Sequence, residues 1–174
     1  SLGVVQDAPA DCGVVPGDAV VGIVRRPDPV PCLSCAAGEW DMCRNGLFTE
    51  RGIKERHGFG SERFRIEPDF AVKIDRGLGL TGVLIEPASI VAKAWDHVET
   101  VGRRSNAWSA GTVLVTGAGP IGLLAAMMGT QRGLEVHVLD RHTAGPKPKL
   151  VRDLGAIHHA DVRSLRHLTF DVVM

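Results

Sequence analysis

The run TVLVTGAGPIGLLAAMMGTQRGLEVHVLDR, residues 112–141, constrains the fold of this chain more than any other feature. A short β-favouring stretch, VLVT, meets a G-x-G-x-x-G pattern at Gly117, Gly119 and Gly122. An apolar stretch of helical character follows, and then a second β run, EVHVLD, that ends in Asp140. Strand, glycine turn, helix and strand in that order make a βαβ unit, which needs a parallel sheet. The pattern alone is weak. Its position between a strand and a helix, with an acid ~20 residues further on, is the context that a dinucleotide fingerprint requires. Gly117 permits the tight turn, Gly119 lets the backbone approach a pyrophosphate, and Gly122 lets the helix pack on the strand. Pro120 and Ile121 open the helix whose N-terminus faces the phosphates.

The cofactor reading stays open between two nucleotides. Asp140 is placed to accept hydrogen bonds from adenosine ribose hydroxyls, which argues for NAD and tips the reading that way. Arg141 follows it, with His142, Lys147 and Lys149 nearby, and a guanidinium there suits the 2′-phosphate of NADP. A second helix is expected in PKPKLVRDLGA (146–156), with Gly155 as its stop, and a further strand in FDVVM (170–174). That gives about three strands where a doubly wound sheet usually has about six. The chain is therefore expected to be the middle of a longer protein.

The first eighty residues differ in character. LGVVQ, DAVVGIV, RFRIE and FAVKI read as short strands, with a turn at PGD (16–18). Residues 84–103 read as a helix, with Ile85, Ala88, Val91, Ala92, Trp95 and Val98 on one stripe. Trp95 and the Met127–Met128 pair read as core. The expected organisation is α/β. A partial β-rich domain covers 1–83, with a cysteine lobe at 27–46. A linking helix region covers 84–110, and a partial Rossmann-type domain covers 111–174.

The 174 residues carry 20 acidic and 20 basic side chains, so no overall field favours nucleic acid or an anionic membrane. No unbroken run reaches the ~20 apolar residues of a membrane helix, and the N-terminus lacks the regions of a signal peptide. A cytoplasmic protein with reduced thiols is expected, in which clustered cysteines point to metal or catalysis rather than disulfides. The cluster is PCLSCAAGEWDMC (31–43), spaced C-x2-C-x7-C. Cys12 stands apart from it and is given no role.

Taken together, VPGDAVVGIVRR, the cysteine loop, RNGLFTERGIKERHGFGSERF, LIEPASIVAKAW and VLVTGAGPIGLLAA resemble the zinc-containing medium-chain dehydrogenases, most closely the glucose 1-dehydrogenase branch. The resemblance implies a GroES-like catalytic domain followed by a Rossmann domain. It implies NAD(P)-dependent, zinc-assisted oxidation of a small sugar or polyol, D-glucose at C1 before others, in a homo-oligomer of two or four chains. Family members often carry a structural-zinc lobe, C-x2-C-x2-C-x7-C. Cys32, Cys35 and Cys43 match its last three positions, and the first falls on Pro29, which cannot bind metal. Asp28, one residue earlier, is the candidate substitute, with Glu39 and Asp41 as further candidates; a lobe that has lost its metal is the alternative.

The same resemblance places Glu86, in LIEPAS, at a catalytic zinc, directly or through water. A carboxylate that merely favours a helix N-terminus is the structural alternative. Glu62, in HGFGSERF, resembles a Glu that contacts a sugar hydroxyl and is expected to open a strand. His57 reads as an exposed loop residue, and His158 and His159 as surface residues. The family's other zinc ligands would lie upstream of Ser1. Three alternatives remain: a sorbitol, threonine or other polyol dehydrogenase, a zinc-free reductase of the same fold, and a truncated nucleotide-binding fragment without chemistry.

Overall fold

The expected parallel sheet is present in the computed structural model, which describes residues 1–174. Its strands are β7 (Thr112–Thr116), β8 (Glu135–Leu139), β9 (Ile157–His159) and β10 (Val172–Val173), in the order β10-β7-β8-β9. Val113 pairs with Val136 and Val115 with Val138, and all four are 2% exposed or less. A run of buried β-branched residues on adjacent parallel strands is what a sheet covered on both faces requires. The chain divides into two compact units, Ser1–Glu86 and Pro87–Met174, and this sheet is the centre of the second.

Helices α2 (Ile85–Gly102), α3 (Pro120–Gln131) and α4 (Pro146–Asp153) complete that unit. Val91 and Trp95 of α2 join the core with Leu124, Ala125 and Ala126 of α3. Gly129 leaves room for this packing, since a methyl group there would meet Val136 at 2.8 Å and the Trp95 ring at 3.2 Å. After α4 the N–H of Gly155 donates to Arg152 and that of Ala156 to Val151, a Schellman close with Gly155 at positive φ. Met127 and Met128 pack against the same core.

In the first unit, β1 (Leu2–Val4), β2 (Ala19–Gly22) and β6 (Ala71–Ile74) form an antiparallel sheet in that order. A second sheet joins β3 (Arg25–Arg26), β4 (Thr49–Arg51) and β5 (Glu55–Arg56). Ion pairs do much of the fastening. The guanidinium of Arg26 is buried, lies 2.7 Å from Glu67 and sits 3.7 Å over the Phe70 ring. Arg56 reaches the other oxygen of Glu67 at 2.9 Å. Arg26 first, a backbone bond and Arg56 after it, hold the Glu67 carboxyl far below the usual carboxylate range. The short helix α1 (Leu33–Ala36) and a 3-10 turn, Trp40–Met42, carry the cysteine loop.

Four expectations change. RFRIE forms no strand and pairs with none: its alternation reports half-burial, and a ladder also needs a neighbour. Ala92 is exposed, because the α2 stripe is narrower than its apolar residues suggest, with Val91 and Trp95 at its centre. The second unit has four strands rather than three; the one missed, Ile157–His159, contains two histidines and no alternation. The run Arg76–Gly102 is long and apolar enough by composition to pass as a membrane span, although no unbroken apolar run exists. Its first third is a separate 3-10 stretch broken at Gly79, and its helix carries Glu86, Lys93, Asp96 and Glu99.

Trp95→Ala empties the largest buried site of the second unit. The expected cost is about 3–5 kcal/mol, read as a lower denaturant midpoint at unchanged slope.

Candidate functional site

The glycine turn starts where β7 ends. Gly117 takes φ +101°, a conformation that L side chains resist, and its N–H donates to the Leu139 carbonyl on β8 at 2.8 Å. Ala118 is buried. Gly119 is the extended N-cap of α3, and a Cβ built on it meets nothing within 4 Å. That open ground beside a helix N-terminus is where a phosphate group can approach the backbone. Pro120 and Ile121 form the first turn, with Ile121 exposed, and the first N–H groups of a helix have no partner within it. A methyl group on Gly122 would sit 1.9 Å from the Gly117 carbonyl oxygen. No side chain fits there.

Asp140 stands at the end of β8, 8% exposed, and its carboxylate is already engaged. Oδ2 accepts from the Ala118 N–H at 2.9 Å and from Lys147 Nζ at 3.2 Å. Oδ1 accepts from the His142 N–H at 3.0 Å and meets His142 Nδ1 at 2.6 Å. The N–H of Ala118 first, and then that of His142, hold the carboxyl far below its ordinary value. Asp140 thus ties the turn to the next strand and draws His142 and Lys147 to the rim of the turn. Arg141, between Asp140 and His142 in sequence, is exposed. The role of Ala118 left no trace in its residue type, because the contact is made by its backbone.

In the first unit the sulfurs of Cys32, Cys35 and Cys43 lie within 4.8 Å of one another. Cys32 is the N-cap of α1, Cys35 lies inside that helix, and Cys43 closes the 3-10 turn. The N–H of Arg44, 3.4 Å from the sulfur, leads in bringing the Cys32 thiol down to about 6, with the N–H groups of Cys35 and Ser34 helping. Cys35 moves the other way: the Asp28 N–H pulls it down, but burial and the neighbouring Cys43 and Cys32 outweigh that. Three sulfurs that can share one ion are a donor set for zinc, and a thiolate is the form that binds metal. Asp28 is outside that group, although it is buried. Its Oδ1 accepts from the Val30 N–H at 2.8 Å, and its Oδ2 is buried without a partner. Glu39 and Asp41 are exposed and also outside the group.

Glu86 is in the first turn of α2, half-buried and followed by Pro87. Glu62 is exposed at a bend rather than at a strand start, and it lines a cavity of about 1260 Å³ with Phe59, Phe64 and Cys12. His57 is exposed and lines a different hollow, with Arg51, Arg56 and Glu67. His158 and His159 are half-buried in β9 rather than free on the surface.

Residues 79–174 match the family described as "Glucose dehydrogenase C-terminus". The glucose 1-dehydrogenase of Metallosphaera sedula is 41% identical over 148 residues, covering 81% of this chain and 41% of that protein. A crystal structure of glucose dehydrogenase from Haloferax mediterranei superposes with a TM-score of 0.84 at 30% identity, covering 99% of this chain and 51% of that one. A structure of the Haloferax mediterranei enzyme with NADP, Zn and gluconolactone gives 0.81 at 32% identity, covering 95% and 47%. The chain spans about half the length of these relatives.

In metal-free protein, Cys32 is expected to react with iodoacetamide faster than Cys12 at neutral pH. The rate should fall as pH drops through about 6, where the thiolate takes up its proton. Peptide mapping after timed alkylation reads both, and zinc should protect all three loop cysteines together.

Proposed function

The chain belongs to the medium-chain zinc dehydrogenases, in the glucose 1-dehydrogenase branch, and from that membership we propose that it is part of an oxidoreductase that passes a hydride from C1 of an aldose to NADP. D-glucose is the proposed substrate and the lactone the product. The observation that carries this reading is the glycine turn, with open ground at Gly119 and no room for a side chain at Gly122. When bound, zinc supplies Lewis-acid polarisation of the substrate oxygen and the nicotinamide supplies the hydride acceptor.

The chain's own residues have these parts in the proposal. The backbone of Gly117–Gly122 receives the pyrophosphate. Glu86 serves the catalytic metal site, directly or through water, and Glu62 accepts a hydrogen bond from a sugar hydroxyl. Cys32, Cys35 and Cys43 hold a structural zinc, and Asp28, whose buried Oδ2 lacks a partner, is the fourth donor. The whole protein is a homo-oligomer.

The choice of NADP rests on Asp140. The sequence offers that carboxylate to ribose hydroxyls, but four contacts within the chain already use its lone pairs. What it presents at the rim is His142 and Lys147, beside Arg141, a cationic group that suits a 2′-phosphate.

NADPH fluorescence should report tighter binding than NADH, by about tenfold or more, on this 174-residue chain. His142→Ala with Lys147→Ala should remove most of that ratio, since a lost charge-assisted bond is worth about 1.5–3 kcal/mol. Equal affinities in the unaltered chain would return the assignment to NAD. Reduced-nicotinamide absorbance with D-glucose tests the reaction. A rise with sorbitol alone moves the substrate to polyols, and nucleotide binding without turnover on any sugar leaves a binding fragment. Where turnover is present, Glu86→Ala should lower it about 100-fold or more with nucleotide affinity unchanged.

A further inference from the structure

Strand β8 buries a histidine between two valines. His137 is 4% exposed, flanked by Val136 and Val138. Its Nε2 lies 2.7 Å from Glu135 Oε1, and its Nδ1 lies 2.8 Å from Nε2 of His159 on β9. His159 Nδ1 is 2.8 Å from Ser164 Oγ, and that hydroxyl donates to the Asp161 carbonyl at 2.7 Å. The two rings stack with centroids 5.0 Å apart. A line of four polar contacts therefore runs from an exposed carboxylate, through a buried imidazole, to the 3-10 turn Val162–Leu165.

Each end of this line can only accept: an ionised carboxylate at one end, a backbone carbonyl at the other. Four contacts between such ends need four protons. Two neutral imidazoles and one hydroxyl supply three. The complete arrangement gives both N–H groups of His137 as donors, to Glu135 and to His159. His159 then donates through Nδ1 to Ser164, and Ser164 donates to Asp161. Removing one proton leaves an arrangement that satisfies three contacts by running the other way. Ser164 turns to donate to His159 Nδ1, His159 donates through Nε2 to His137, and the Ser164–Asp161 bond is lost.

We propose that this line holds one proton beyond its neutral groups, as an imidazolium at His137, and that losing it reverses the line and breaks the Ser164 hydroxyl bond to Asp161, while the Ser164 N–H keeps its own bond to that carbonyl. The device is a proton-linked switch inside the nucleotide-binding unit. Burial first, and then the charge of His137 and of His158, push His159 below the ordinary imidazole value, in keeping with a neutral second ring. The surroundings contain no other partner for the extra charge. Glu135 is on the same strand, and His158 and His159 are on β9. Asp161 is paired with Arg163 at the turn, and Asp171 is held by Gly111 and Thr112 beside β7. The β7 residue opposite is Leu114, and the remaining ring neighbour is Phe170. The Asp140 N–H donates to the His159 carbonyl at 2.9 Å, so the switching residue anchors the strand end that braces the glycine turn.

The test is an imidazole 15N shift series against pH on the labelled chain, which distinguishes the two tautomers and the cation for each ring. The expected result is a doubly protonated His137 beside a His159 protonated at Nδ1. As pH rises, His137 should lose a proton while His159 changes to the Nε2 tautomer, with one shared midpoint. Glu135→Gln should lower that midpoint by about one unit, a tenfold loss of proton affinity. Ser164→Ala removes the acceptor for His159 Nδ1 and should lower the shared midpoint. Both side chains are exposed, so neither change disturbs the core. Independent titration of the two rings, a fixed His159 tautomer, or an unmoved midpoint in Glu135→Gln would overturn the proposal.

Discussion

One contact distance governs the second unit: a single added carbon on Gly122 would lie 1.9 Å from the carbonyl oxygen of Gly117. The helix can lie on the turn only because that carbon is absent. The positive φ of Gly117 and the open ground at Gly119 are parts of the same arrangement. Once α3 is placed this closely, its opposite end must also approach the sheet, and Gly129 provides for that against Val136 and Trp95. The core of the unit and the shape of its turn are therefore one packing problem.

The parts of the fold written in residue type were legible. The glycines at 117 and 122, the valines of β7 and β8, and the stop at Gly155 each record a steric requirement that few other residues satisfy. The parts written in partnership were not. RFRIE alternates as a strand should, yet no neighbouring backbone is in register with it. Ile157–His159 lacks alternation, yet β8 recruits it as an edge. For the candidate site the same division holds. The three cysteines could be grouped from spacing, whereas the engagement of Asp140 by the Ala118 N–H could not, because a backbone donor is present in every residue but proline.

The two units solve burial by different chemistry. In the second, aliphatic strands and a tryptophan supply the core. In the first, buried charges are prominent: Asp18, Arg26 and Asp28 are each less than 9% exposed. Asp18 is balanced by the Val15 N–H and Lys73, and Arg26 by Glu67 and an aromatic face. Such pairs gain little over apolar packing, but they are costly to separate, since each partner alone would be a buried charge. They suit a unit of short strands and loops, where the geometry must be fixed with little apolar area available.

Asp28 departs from that balance. One oxygen caps a loop N–H and the other is buried with no partner, beside a loop whose sulfurs already converge. An unpaired buried carboxylate oxygen costs the desolvation that Asp18 and Glu67 recover from their cations. The orphan oxygen and the converging sulfurs occur in the same short lobe. In the proposed zinc site, a cation held by the three sulfurs would give that oxygen a countercharge. The buried oxygen and the sulfur group are thus the two features of the lobe on which the proposed zinc site rests.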